Sequence, residues 1–193
     1  MPTGAAPAPL IGSLGLLERA IGYTRGSLQL VTDADLTLAT PCREWNLRAL
    51  LRHMNDSLAA LQQAADVGYV ELDPVGADTS RDIVATIRIR ACSLLGSWTH
   101  NDGATLVRVA DSALTASVLA STGALEIAVH GWDVSQACRH DPGLPPRLAE
   151  ELLELVPLLV SNRDRPERFA PSVDVPPFAS PADRLLAFLG RHP

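Results

Sequence analysis

Between Ala124 and Asp133 the chain reads A-L-E-I-A-V-H-G-W-D. On a helix Glu126 and His130 lie four residues apart, so both side chains project from one face, one turn above the other. A carboxylate and an imidazole at that spacing can ligate one metal ion. Leu125, Ala128, Val129 and Trp132 follow the spacing of a helical core, which places the pair at the edge of that stripe, where a carboxylate needs a partner. Two readings stay open: half of a metal site, or an exposed ion pair worth roughly a few tenths of a kcal/mol. Asp133, one turn beyond His130, can accept the ring N–H that a metal leaves free and so fix the tautomer, or it is simply solvated. His53 is the third candidate. It borders another helical stripe, with the small residues Ala49 and Ser57 one turn away, and reads either as a ligand or as a hydrogen-bonded structural residue.

These residues need helices to hold them. Leu10, Leu14, Leu17, Ile21, Leu28 and Val31 recur at helical intervals and predict a first helix from about Pro9 to Val31. A polar loop follows to Trp45, with Pro41 disfavouring helix at Thr40. Asn46 is a good N-cap for a second helix to about Ala65, with Leu47, Leu50, Leu51, Met54, Leu58 and Leu61 as its core. Asp78 is the expected cap of a third helix through Val84, Ile87, Ala91, Leu94, Leu95 and Trp98. That helix ends at T-H-N-D-G, where His100 suits the negative end of the dipole. The β-branched run near Val107 has no obvious pairing partner and reads as loop. The fourth helix, from Ser112 or Thr115 to about Arg139, carries the opening motif. Gly123 and Gly131 inside it imply close approach of another chain segment, or a kink. Leu148, Leu152, Leu155 and Leu159 mark a fifth helix. After an extended Pro-rich surface segment, Ser180, Pro181 and Asp183 start a short final helix ending at Gly190.

The pattern predicts one all-α domain over residues 1–193, with residues 1–8 as a flexible lead. Charge narrows the partners. The formal net charge is −6 and all 16 basic residues are arginine without a basic run, which argues against nucleic acid. No stretch approaches the roughly 18 apolar residues of a membrane span, and the N-terminus lacks a signal-peptide pattern, so a cytoplasmic protein is expected. Cys42, Cys92 and Cys138 are odd in number and widely spaced, indicating reduced thiols. A nucleophilic role for Cys42 or Cys138 is the lesser alternative, since no basic residue lies at helical spacing from Cys42 to activate it and Cys138 reads as packing. The many outer apolar residues are compatible with a homodimer. If the second and fourth helices are neighbours, His53, Glu126 and His130 converge as two nitrogens and one carboxylate. Three protein ligands leave an open position, as catalytic zinc-type sites do.

T-P-C-R-E-W-N-L-R-A-L-L-R-H, from Thr40 to His53, resembles the T-P-C-x-x-W-x-x-x-x-L-x-x-H signature of the DinB/YfiT-like metal-binding superfamily. Within it, the chain is most similar to the actinobacterial group that includes the N-terminal domain of mycothiol-dependent maleylpyruvate isomerase. The E-x-x-x-H-G-W-D run from Glu126 to Asp133 and the tail from Val173 to Pro193 resemble the same group. The resemblance implies a four-helix bundle with additional short helices and an extended Pro-rich C-terminal segment. It further implies a divalent metal, most often zinc with nickel or manganese as alternatives, held by His53, Glu126 and His130. Mycothiol or another low-molecular-weight thiol is the implied cosubstrate, activated towards a small electrophile in transfer or isomerisation. The isomerase carries an additional C-terminal domain of which no counterpart is expected here, so maleylpyruvate is not the expected substrate. The alternative expectation is a non-catalytic metal- or ligand-binding bundle acting through a partner.

Overall fold

The computed structural model describes residues 12–42, 44–70, 82–99, 103–165 and 168–193. Helix α1 spans Ser13–Ser27, α2 Leu47–Val67, α3 Ile83–Trp98 and α4 Ala116–Ala137; α5 (Pro146–Leu159) and α6 (Pro181–Phe188) follow. The bundle is organised around α4, which packs along α1, meets α2 on another side and touches α5; α2 in turn packs against α3. This is the all-α bundle that the resemblance implies. Buried side chains occur on every side of α4 rather than along one stripe, as for a helix enclosed by its neighbours. His130, expected at the edge of a stripe, is therefore buried.

Local signals account for most boundaries. Asn46 accepts the Ala49 N–H at 3.0 Å, so its side chain satisfies a donor that the first turn of α2 leaves free. Leu47, Leu50, Leu51, Met54, Leu58 and Leu61 are all buried, as the periodicity predicts. Thr115 caps α4, and Ser180 with Asp183 forms a reciprocal capping box at α6. The two glycines of α4 are close-approach positions. A Cβ on Gly131 would lie 3.2 Å from the Thr24 Cα of α1, and one on Gly123 would meet the Leu61 methyl groups of α2.

Three expectations are corrected. Helix α1 ends at Ser27, not near Val31. Leu28 is buried without being helical, so its apolar spacing extends the pattern past the helix, while Thr32 and Asp35 cap a 3-10 helix over Asp33–Thr37. The cap of α3 is Asp82, which accepts from Ala85 N–H; Asp78 and His100 lie outside the described residues, as do Pro9 and Leu10. The segment expected as loop forms strand β2 (Leu106–Val109), paired antiparallel with β3 (Ser112–Thr115) and parallel with β1 (Tyr69–Val70). Ala110, with φ 48°, turns this hairpin where Gly or Asn would have announced one.

Candidate metal centre

The second and fourth helices are neighbours, and they bring His53, Glu126 and His130 together. One carboxylate oxygen serves both imidazoles: Glu126 Oε1 lies 2.5 Å from His53 Nε2 and 3.2 Å from His130 Nε2. The two rings meet edge to face with centroids 5.1 Å apart. One donor atom from each of the three residues falls within 4.8 Å of the other two. A tetrahedral ion with bonds of about 2.0–2.1 Å needs donors roughly 3.3 Å apart. The Glu126–His130 edge already has that length, and the His53–Glu126 edge needs to open by less than about 1 Å to reach it. Two imidazole nitrogens and a carboxylate oxygen are also a donor set suited to zinc and its neighbours in the transition series. The residues fit a divalent ion.

The remaining nitrogen of His130 is tied down. Its Nδ1 lies 2.8 Å from Asp133 Oδ2, and Asp133 has no exposed surface. The ring is thus oriented with Nε2 towards Glu126, the arrangement metal-ligating histidines use. Asp133 is held in turn by Arg191, whose Nη2 donates to Oδ2 at 2.8 Å and whose Nε donates to Oδ1 at 3.3 Å. The Cys42 thiol closes this network, donating to Asp133 Oδ2 at 3.4 Å and accepting from Arg191 Nη2 at 3.2 Å. Cys42, His130 and Asp133 form a second potential donor set among the described residues. The Arg191 guanidinium already supplies the cation there, which leaves the His53, Glu126 and His130 set as the one with room for an ion.

The electrostatics follow from burial set against opposite charge. Burial would raise the Glu126 carboxyl, but the charges and hydrogen bonds of His130 and His53 outweigh it and hold the group well below the usual carboxylate range. For His130, burial alone would favour the neutral ring. Glu126, Asp133 and Cys42 reverse that and raise its pKa well above the ordinary value. Asp133 is lowered despite burial, by the His130 hydrogen bond and the Arg191 charge. In the metal-free protein the two carboxylates beside it thus favour the protonated form of His130 over the neutral ring.

The triad opens onto a cleft of about 1420 Å3. Trp45 and Val129 line one part, and the chain after α5, including Phe169, Val173 and Arg191, lines another. Trp45 also packs on His53, with ring centroids 4.6 Å apart and planes tilted by 43°. Arg191 and the hydrogen-bonding role of Cys42 are the parts that sequence reasoning missed. The only signal for Arg191 was its position just after the helix-ending Gly190.

A family model described as the mycothiol maleylpyruvate isomerase N-terminal domain matches residues 17–135. That span begins within α1 and ends two residues short of the end of α4, before α5, α6 and Arg191. No curated protein and no protein of solved structure matches the chain. Among the described residues no helix is long and apolar enough to cross a membrane.

Proposed function

Because the chain belongs to the family of mycothiol maleylpyruvate isomerase N-terminal domains, we propose that it is a thiol-dependent transferase or isomerase built on a divalent-metal centre. His53, Glu126 and His130 hold the ion, zinc being the best match to the donors, and mycothiol or a similar small thiol is the cosubstrate. The observation that carries this reading is the convergence of three donor atoms from α2 and α4 on the wall of an open cleft, with His130 fixed from behind by Asp133. A bound divalent ion would lower the pKa of a thiol so that it reacts as thiolate at neutral pH.

The protein's own groups set the conditions for that chemistry. With both imidazoles neutral, the carboxylates of Glu126 and Asp133 outweigh Arg191 by one charge. With a divalent ion held there the site would carry one net positive charge, which an anionic thiol substrate would offset. His130 has to release its Nε2 proton when the ion enters, while Asp133 keeps the proton on Nδ1. The cleft exceeds the roughly 300–1,000 Å3 usual for a single small ligand, leaving space for a thiol and an electrophile together. Trp45 and Val129 give it apolar walls against which the electrophile can rest.

Elemental mass spectrometry of the purified protein tests the centre. About one ion per chain is expected, lost in His53→Ala, Glu126→Ala and His130→Ala variants that stay folded by circular dichroism. A protein that takes up no zinc, nickel or manganese on reconstitution overturns the metal reading. Thiol consumption with mycothiol or glutathione and an activated electrophile then tests the reaction. Metal binding without any thiol chemistry would instead identify a binding protein.

A further inference from the structure

We propose that Arg191 is a positioning residue for this centre, reaching in from the chain after α6 to orient Asp133 and, through it, His130. The inference rests on the metal reading, and Arg191 lies outside the stretch that the family model matches.

The geometry is that of a built contact rather than a surface ion pair. Arg191 is buried, and its guanidinium spends Nε and Nη2 on the two oxygens of Asp133 and Nη1 on the Leu189 carbonyl at 3.0 Å. A planar fork meeting both oxygens fixes the plane of the carboxylate as well as its position. That plane decides where Oδ2 stands to receive the Nδ1–H of His130 at 2.8 Å. With Arg191 absent, Asp133 would keep its charge in the core and lose the groups that set its direction. Cys42 is too weak a donor to replace them.

The backbone delivers the side chain to this place. At the end of α6 the Arg191 N–H bonds to the Leu186 carbonyl at 2.9 Å and the Gly190 N–H to the Ala187 carbonyl at 3.0 Å. This is the paired hydrogen bonding of a Schellman cap, which places its glycine in the left-handed region, and Gly190 has φ 79°. A Cβ at Gly190 would also lie 2.8 Å from the Ala170 carbonyl oxygen and 2.7 Å from the Ala170 Cβ. Only glycine turns the chain so that the next residue points back into the bundle. Arg165 braces the same corner from outside, donating to the Ala170 and Phe188 carbonyls and lying over the Phe188 ring. The tail thereby forms part of the wall of the site, and the cap of its last helix aims the Arg191 guanidinium at Asp133.

Zinc affinity by competition with a chromophoric chelator is the first readout. Partners that orient metal-ligating histidines are typically worth 10- to 100-fold in affinity, so Arg191→Ala is expected to weaken zinc by about that factor. Arg191→Lys, which keeps the charge but not the fork, should recover only part of the loss. Gly190→Ala, which leaves the guanidinium intact but misdirects it, should fall in the same direction as Arg191→Ala. If Arg191→Ala does not fold, the Lys and Gly190 variants carry the test. The second readout is the His130 Nδ1–H proton resonance in the zinc-free protein. It should be slowly exchanging in the wild type and lost to exchange with solvent in Arg191→Ala. Unchanged zinc affinity, within about twofold, in folded Arg191 and Gly190 variants would overturn the proposal, as would an undisturbed His130 resonance. A wild type that binds no zinc would sink the functional reading and leave the proton resonance as the deciding measurement.

Discussion

Replacing Gly131 by alanine tests whether the packing of α1 against α4 is set by the absence of a side chain. The added methyl group would sit 3.0 Å from Thr24 Cβ, 3.2 Å from its Cα and closer still to its hydroxyl. Two of these atoms cannot move unless α1 moves. The hydroxyl donates to the Ile127 carbonyl at 2.8 Å in a buried setting, a bond worth about 1 kcal/mol. Overpacking of this kind costs about 1–3 kcal/mol, and the alanine returns about 1 kcal/mol of helix propensity. The sum is a loss of about 1–3 kcal/mol, or a fall in Tm of roughly 2–4 °C for each kcal/mol in a chain of this size. Gly123→Ala is the internal control, because the nearest atoms its methyl would meet belong to the branched end of Leu61, which can rotate. Its two effects nearly cancel, so its stability should stay within about 1 kcal/mol of wild type. Urea unfolding of metal-free protein, followed by far-ultraviolet circular dichroism, measures both. In a double-mutant cycle, Thr24→Ala should relieve part of the Gly131→Ala penalty, giving a coupling of about 0.5–2 kcal/mol. A Gly131→Ala protein as stable as wild type, or one matching Gly123→Ala, would refute the reasoning.

Asn46→Ala should cost about 1 kcal/mol in urea unfolding through loss of the cap on Ala49 N–H; an unchanged midpoint would show that water replaces it fully. The pH dependence of the metal-free protein follows from the shifted groups. His130, raised on folding, contributes stability that is complete below its unfolded value near 6.5 and is lost as pH rises through its folded value. Glu126 and Asp133, lowered on folding, contribute stability present above about pH 4 and lost as pH falls through their folded values. Urea midpoints in chelator should therefore peak between about pH 4.5 and 6.5; midpoints that climb from pH 6 to 8 would contradict the assignment. Zinc affinity should move the other way, strengthening as pH rises, with about one proton released per ion near pH 7 in calorimetry across buffers of different ionisation enthalpy.

The elements that local chemistry dictates were legible in the sequence. The buried stripe of α2, the caps at Asn46 and Ser180, and the two close-packed glycines of α4 each depend on residues within a few positions of one another or on an unusual residue type. The helical offset of Glu126 and His130 was readable for the same reason, and the structure brings His53 to them from α2. The hairpin was hidden because its turn is Ala110-Asp111, without the glycine or asparagine that marks a positive φ. The end of helix α1 is masked in the sequence because Leu28 is buried by tertiary packing after the helix has ended. Arg191 was out of reach for a different reason. It meets Asp133 across 58 residues and Cys42 across 149, so no spacing rule connects them. Cys42 does have a basic neighbour, but folding supplies it.

The packing of Trp45 on His53 gives the protein an optical consequence. Trp98 and Trp132 are both buried, Trp98 with its indole N–H bonded to the Leu61 carbonyl. Trp45 is the partly exposed indole and also stands 6.1 Å from the His130 ring. Its emission is expected to respond when an ion enters beside the two rings, while the other two should report on the bundle as a whole. A soluble quencher, reaching Trp45 first, would separate the two signals, so that occupancy of the cleft and integrity of the fold can be followed in one unlabelled sample.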